Sequence, residues 1–444
     1  MKRSLFTVTV ACVLLATFGP TSAADLNIWW EEGYYPEEDK AIEAVINDFE
    51  QASGKDVELT LYPQQELPGK VASALEAGRP PDLVYSLPIN YEQLAYDDAL
   101  ADLTDVIEPF KDTFFPAVLQ AVLLRNGKTG QRASYGVPIG QSTAHIHVWR
   151  SLLDEAGIQL QDIPKEWEPF WAFWCDTVQP AVREATGRNE IYGVGLTMSD
   201  ESNDTGTNFW MFVNAHEADY VTRDGKLVID DPNVQAKLVT ALNELATIYR
   251  KSCTPPDSVN WNNPDNNKQF HAQRIVMTVN DTLSITNALR ADRPDDYYKN
   301  TVTIQWPNGP GGKPPAIENS VYPVLVFKDA QNATAAKEFI AFLLSEGRLG
   351  GFNEASLGRV LPPVPALLET PFWQDAKDPH RTAAVKQVRE GPLAYSYVAV
   401  SGNVRHAETD PVWSAAVRRV AEEDYPADKA VDEAVAQVKE ILAQ

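Results

Sequence analysis

An α/β architecture of mostly parallel strands flanked by helices is the fold class that this 444-residue sequence predicts. Three observations predict it. Strand, helix, strand, helix and strand signals follow one another between Leu26 and Tyr85, at the spacing of βαβ units. Apolar residues make up 44% of the chain and charged residues 23%, a balance that can bury a core. At roughly 150 residues per domain, the length allows two or three domains.

The elements follow in order. Lys2 and Arg3 form a basic start, Leu5 to Phe18 an apolar run, and Thr21-Ser22-Ala23-Ala24 a small-residue cleavage site behind Gly19-Pro20. This layout predicts a signal peptide over 1–24, cut after Ala23 or Ala24, and a periplasmic mature chain. The run is shorter than the about 20 apolar residues of a membrane span. Leu26 to Trp30 reads as a buried strand. Ala41, Ile42, Val45, Ile46 and Phe49 recur at helical spacing up to Gly54. Val57 to Leu61 alternates as a second strand, a helix around Val71 and Leu75 ends at Gly78-Arg79-Pro80-Pro81, and Asp82 to Tyr85 is a third strand.

Val137 to Val148 is extended, and a tryptophan-rich helix follows from Glu168 to Val182. Strands are expected at Tyr192 to Leu196, Ile275 to Val279 and Val321 to Phe327. Helices are expected at Phe209 to Ala215, Val234 to Tyr249, Asn266 to Gln273 and Ala333 to Ser345. The tail from Asp428 to Leu442 is amphipathic, with Val431, Val435, Val438 and Leu442 on one face.

Charge and motifs narrow the function. With 62 acidic against 38 basic residues and a net charge of −24, the chain lacks the basic footprint that a nucleic acid requires. Once Cys12 leaves with the signal peptide, Cys175 and Cys253 remain. In an oxidising compartment such a pair suggests one disulfide, two buried thiols being the alternative. Gly140-Gln141-Ser142-Thr143-Ala144 lacks the second glycine of a nucleophile elbow. Gly309-Pro310-Gly311-Gly312-Lys313 lacks the hydroxyl residue of a phosphate loop. His145 and His147 share one strand face with no third ligand nearby and read as structural. No metal or cofactor is expected. A secreted hydrolase with paired carboxylates, or a binder of an amino acid, peptide or metal, stays open as an alternative.

The order of landmarks resembles the bacterial extracellular solute-binding proteins of family 1, the maltose-binding-protein-like sugar binders of ABC transporters. The similar passages span nearly all of the mature chain. They include Leu26 to Trp30, Ser53-Gly54-Lys55, Gly78 to Val84, Tyr135-Gly136-Val137-Pro138 and Leu153 to Gly157. Further on come Ile163 to Trp167, Tyr192 to Leu196, Phe270 to Gln273 with Met277 to Asn280, Ala335 to Ile340 and Ala430 to Ala434. The resemblance implies a two-lobed periplasmic binding protein fold (type II) with a hinge of crossover segments. It assigns 25–138 and 323–352 to lobe one, and 142–318 and 357–444 to lobe two. It also implies a monomeric, non-enzymatic protein that binds a carbohydrate or polyol and hands it to a membrane permease.

Candidate ligand contacts come from two sources. Aromatic faces stack on sugar rings, while amides and carboxylates bond hydroxyls. In open α/β sheets ligands lie beyond the carboxyl ends of strands, which selects Trp30, Glu31 and Tyr35, then Ser86, Asn90 and Tyr91, then Asn280 and Asp281. By the resemblance, Trp413 matches a ring-stacking aromatic, Gln141 matches a hydroxyl-bonding carboxylate on a crossover, and Asn208 and Trp210 match the cleft edge. Trp261 lies in an Asn-rich loop and is a further candidate. Trp167, Trp171 and Trp174, spaced four and three apart, read as a packing stripe. Ser86, Ile89 and Leu283 replace residues of the maltose-binding pattern, so the particular sugar stays open.

Overall fold

The computed structural model describes residues 24–345 and 347–444. The expected signal peptide therefore lies outside the described residues, apart from Ala24. Eleven strands are described: β1 Leu26–Glu31, β2 Val57–Tyr62, β3 Leu83–Tyr85, β4 Leu123–Arg125, β5 Arg132–Ser134, β6 Val137–Thr143, β7 His145–Trp149, β8 Tyr192–Gly195, β9 Ile275–Asn280, β10 Thr301–Ile304 and β11 Asn319–Val326. They form a five-stranded sheet ordered β2-β1-β3-β11-β6, a four-stranded sheet ordered β10-β7-β9-β8, and the small hairpin β4-β5. Each large sheet is the floor of one lobe. Among the described residues, no helix is long and apolar enough to cross a membrane.

Local signals account for the elements. The helix Pro36–Ser53 starts with Pro at its first turn and three acidic residues that complement its dipole. It ends where Gly54 takes a left-handed φ of 71° and donates its N–H to the carbonyl of Glu50. Its buried face is Ile42, Val45, Ile46 and Phe49, the periodic set in the sequence. Trp167, Trp171 and Trp174 are all buried in the second lobe, as a packing stripe should be.

Strand directions follow from how the chain crosses between lobes. In the first sheet β1, β2, β3 and β6 run one way and only β11 is reversed. In the second sheet only β7 is reversed. A strand arriving from the other lobe enters its new sheet at the cleft, so it must run away from the cleft while its neighbours run toward it. β6 passes into β7 through Ala144 alone. β11 returns beside β6, paired from Asn319↔Thr143 to Val324↔Val137, with a register shift at Pro323, which has no N–H to donate.

A third segment closes the junction. Gln141 and Leu361 exchange backbone hydrogen bonds of 2.9 and 2.8 Å. A Cβ on Gly140 would lie 2.3 Å from Cγ1 of Val360, so only glycine lets this segment approach. Leu357, just before it, is held left-handed at φ 56°, an uncommon conformation for leucine. Arg359 forms a buried ion pair with Glu38 at 2.6 Å, anchoring the segment to the first helix.

The cores follow the sheets. One core joins β1, β3, β6 and β11 to residues such as Ile42, Phe49, Phe339 and Phe352. The second runs from Ala144 to Val438 and contains the tryptophan stripe. Val360, Val398 and Ala399, assigned above to lobe two, pack instead into the first core, because the chain folds back across the junction there. Leu283, Leu361, Leu368 and Trp373 belong to a separate small cluster.

Cys175 and Cys253 form a disulfide, with Cα atoms 5.1 Å apart and a sequence separation of 78. It ties the stretch Phe173–Val178, a π-helical widening, to the chain beyond the long helix Pro232–Arg250. Closing a loop of this length should contribute about 4 kcal/mol in the chain-entropy model. Thiol titration of denatured, unreduced protein should find no free thiol, and reduction should lower the unfolding free energy in urea by about that amount. Two titratable thiols would refute the bond.

Candidate ligand-binding site

A cavity of about 390 Å³ lies between the lobes. That is within the range of about 300–1,000 Å³ typical of small-molecule pockets. The first lobe supplies Leu87, Pro88, Ile89, Tyr91 and Glu92. The second supplies Trp210, Asn214, Asp219, Thr409 and Asp410, and the start of β11 supplies Glu318 to Tyr322 between them. A further wall comes from Ala394 to Val398 with His406.

Each wall has an identifiable support. Glu31, at the end of β1, accepts hydrogen bonds from Ser86 Oγ at 3.0 Å, Leu87 N–H at 2.8 Å and Gln64 Nε2 at 2.9 Å. It thereby pins the loop that carries Leu87 to Ile89 into the cavity. Burial raises its carboxyl above the ordinary value, while the bonds from Leu87 and Ser86 oppose the rise. On the other side, Trp210 projects from the helix Asn203–Ala215 and donates Nε1–H to Asp410 at 2.9 Å. Tyr397 donates its hydroxyl to Asp219 at 3.0 Å and packs edge-on against Trp210, with centroids 5.3 Å apart.

Of the sequence candidates, Tyr91 and Trp210 line the cavity. Glu31 and Ser86 stand behind its wall, bonded to each other. Asn90 caps the helix Tyr91–Tyr96 by accepting from Gln93 N–H at 2.9 Å, and so positions Tyr91. Tyr35 is half-buried at the start of the first helix, with its hydroxyl unpartnered. Gln141 is fully buried in the junction and donates to the carbonyl of Pro362 at 2.7 Å. Asn280 turns back on Thr282 and Ser284, Asn208 is buried in its helix, and Asp281 accepts from Thr207 at 3.2 Å.

Three tryptophans are corrected. Trp30, 2% exposed, packs at 4.5 Å between centroids on Tyr85 and edge-on against Phe352. Trp413, 0% exposed, stacks on Phe209 at 5.0 Å, and Trp261 is buried in the same core. All three are buried in the cores of their lobes, and none is among the residues that line the cavity.

Sequence reading missed Glu92, Asp219, Glu318, Tyr322, Tyr395, Tyr397, His406 and Asp410. The doublet Tyr395-Ser396-Tyr397, between Gly391-Pro392 and an apolar run, carried the one usable signal. The missed groups are electrostatically distinctive. Burial pushes Glu92 up to about 7. Glu318 is raised well above the carboxylate range by burial and by Asp281, Asp410 and Asp204 beside it. Asp281, a sequence candidate that stands behind the cavity wall, is pushed up to about 6 by burial. Burial lowers His406 to about 4, so its ring is neutral near pH 7. Glu318 Oε2, Asn319 Oδ1 and His406 Nδ1 have no hydrogen-bond partner in the structure. A folded protein ordinarily pairs such atoms.

The three histidines His145, His147 and His380 are buried in the second lobe, bonded to Gln387, Thr303 and Tyr297 respectively. No group of three or more potential metal ligands is assembled among the described residues. Rings, amides, hydroxyls and carboxyls lining one cleft can hold a polyhydroxylated molecule, stacking on its faces and bonding its edges.

The sequence profile of the bacterial extracellular solute-binding proteins matches residues 44–383. No curated protein matches the chain in sequence. Solved structures are similar over nearly its full length. A solute-binding protein of an ABC transporter from Thermotoga lettingae, bound with alpha-D-tagatose, has a TM-score of 0.72 at 19% identity, covering 94% of this chain and 99% of its own. A sugar transporter protein from Arthrobacter chlorophenolicus with bound laminaribiose has 0.71 at 17% identity, covering 94% and 98%. A cyclic alpha-maltosyl-1,6-maltose binding protein from Arthrobacter globiformis has 0.73 at 17% identity, with the same coverage. At identities this low the likeness establishes the two-lobed fold alone.

Two outcomes follow from this geometry. Trp413→Ala should lower the unfolding free energy by about 3–5 kcal/mol, read by urea denaturation, as removal of a buried aromatic does. A loss below about 1 kcal/mol would return that ring to the cleft. Glu92 holds its proton more tightly folded than unfolded, so its contribution is complete below its ordinary value of 4.5 and is lost as pH rises through about 7. Glu92→Gln should therefore flatten the fall in stability over that interval in urea titrations of ligand-free protein. An unchanged slope would place the titration elsewhere.

Proposed function

The chain belongs to the bacterial extracellular solute-binding proteins, and on that premise we propose that it is the periplasmic substrate-binding component of an ABC importer, taking a carbohydrate or polyol between its lobes and delivering it to a membrane permease. The observation that carries this reading is the cavity wall. Tyr91 comes from one lobe, Trp210 and Tyr397 from the other side, and the unpartnered acceptors of Glu318, Asn319 and His406 lie between them. The sugar-loaded relatives of the same fold support it. The protein acts as a monomeric binder and leaves its ligand chemically unchanged.

The mechanism is hinge closure about the three crossing segments near Ile139-Gly140-Gln141, Asn319 to Tyr322 and Val360-Leu361, the last lying a few residues beyond the expected crossing at Asn353 to Leu357. A ligand touching both lobes binds the closed arrangement better and shifts the population toward it, and the closed shape is what a permease recognises. A ligand held by one lobe alone would shift little. Glu31 and Asn90 act as positioning residues, holding the loop and helix that present the first wall.

A thermal-shift screen against sugars, polyols, amino acids, peptides and metals should yield a raised melting temperature with a sugar or polyol, because a ligand that binds only the folded state stabilises it. X-ray scattering should then find a smaller radius with that ligand. Trp210→Ala should weaken its binding by about ten- to a hundredfold, the loss of about 1–3 kcal/mol of ring contact. Compaction by an amino acid, peptide or metal, with none by any sugar, would overturn the carbohydrate assignment.

A further inference from the structure

We propose that the ligand of this cleft carries a positively charged amino group, which narrows the carbohydrate reading, on which this inference rests, to amino sugars and aminated polyols. The charge of the wall is one-sided. Glu92, Asp219, Glu318 and Asp410 line the cavity, and neither lysine nor arginine does. None of the four forms an ion pair among the described residues. Asp204 and Asp281 stand close enough behind Glu318 to raise its proton affinity further.

Such an arrangement is costly without a partner. Asp219 and Asp410 are exposed and Glu92 and Glu318 half-exposed, so the cost arises when a ligand fills the cleft and strips their water: nearby like charges then add repulsion unless a proton or a cationic ligand neutralises them. Asp219 and Asp410 are partly satisfied by Tyr397 and Trp210. Glu318 keeps one oxygen, Oε2, buried and unpartnered.

His406 is an independent sign that a donor belongs here. It lines the cavity, is 6% exposed, and its Nδ1 has no partner. Without a ligand the cleft favours the protonated form of Glu318, and a cation that draws off this proton turns the carboxyl into an acceptor; an ammonium offers that charge together with three donors. The rings of Trp210 and Tyr397 in the same wall add cation–π attraction. The same wall disfavours a uronate or a sugar phosphate, whose added negative charge meets four carboxyls, with Arg223 near Asp219 offsetting part of it.

Calorimetric titration of ligand-free mature protein with matched probes tests the inference. The probes are glucosamine, glucose and glucuronate, the β-1,4 disaccharides of glucosamine and of glucose, and spermidine. An amino sugar should bind at least about tenfold tighter than its hydroxyl counterpart, glucuronate should not bind, and added salt should weaken the amino sugar selectively. Glu318→Gln should remove most of that preference while the melting temperature stays near the parent value. Equal affinity, a preference for the neutral or acidic member, or binding of no probe would overturn it. Spermidine binding with no sugar bound would support the charge assignment and overturn the carbohydrate reading, so the two failures are distinguishable.

Discussion

The antiparallel pairing of β6 with β11 is the constraint on which the rest of the molecule depends. Both strands belong to the first sheet, yet one leads directly into the second lobe and the other arrives from it. Their hydrogen bonds, together with the bridge from Gln141 to Leu361, bring three chain crossings side by side. The reversed strand in each sheet, the discontinuous make-up of the first core and the position of the cavity all follow from that junction. Ser142 and Tyr322 reinforce it with a buried hydroxyl contact of 2.6 Å across the two strands.

Around this junction the polar groups divide by partner. Glu31 is held by Ser86, Leu87 and Gln64, and Glu38 by Arg359, while Gln141 and Asn353 bond backbone through their amide nitrogens and leave their oxygens unpartnered. Among the residues that line the cavity, Glu318, Asn319 and His406 keep unpartnered atoms, and burial raises Glu318 and lowers His406 from their ordinary values.

The helices and strands were largely legible in the sequence, because side-chain periodicity and glycine stops are local. The helix ending at Gly54, the alternating second strand and the tail helix stand close to where their patterns put them. The short strands β4, β5 and β10 were not read, since three or four residues carry too little period to separate from loop. The candidate site was legible mainly as a neighbourhood. Strand-end reasoning reached Glu31, Ser86, Asn90 and Tyr91, of which Tyr91 meets the cavity and the others support it.

By itself the sequence determined an α/β chain with a cysteine pair suited to one disulfide and enough aromatic residues to build a stacking site. Only the tertiary structure decided which rings do which work. Trp30 and Trp413 have the composition and strand-end or helix-start setting of ligand contacts, yet they lie between core neighbours, while Trp210 and Tyr397 face the cavity. The physical reason is that an aromatic ring gains from burial against protein and against ligand alike. Which of the two it meets depends on neighbours remote in sequence: Phe209 over Trp413, Phe352 against Trp30, and Asp219 holding Tyr397 at the cleft.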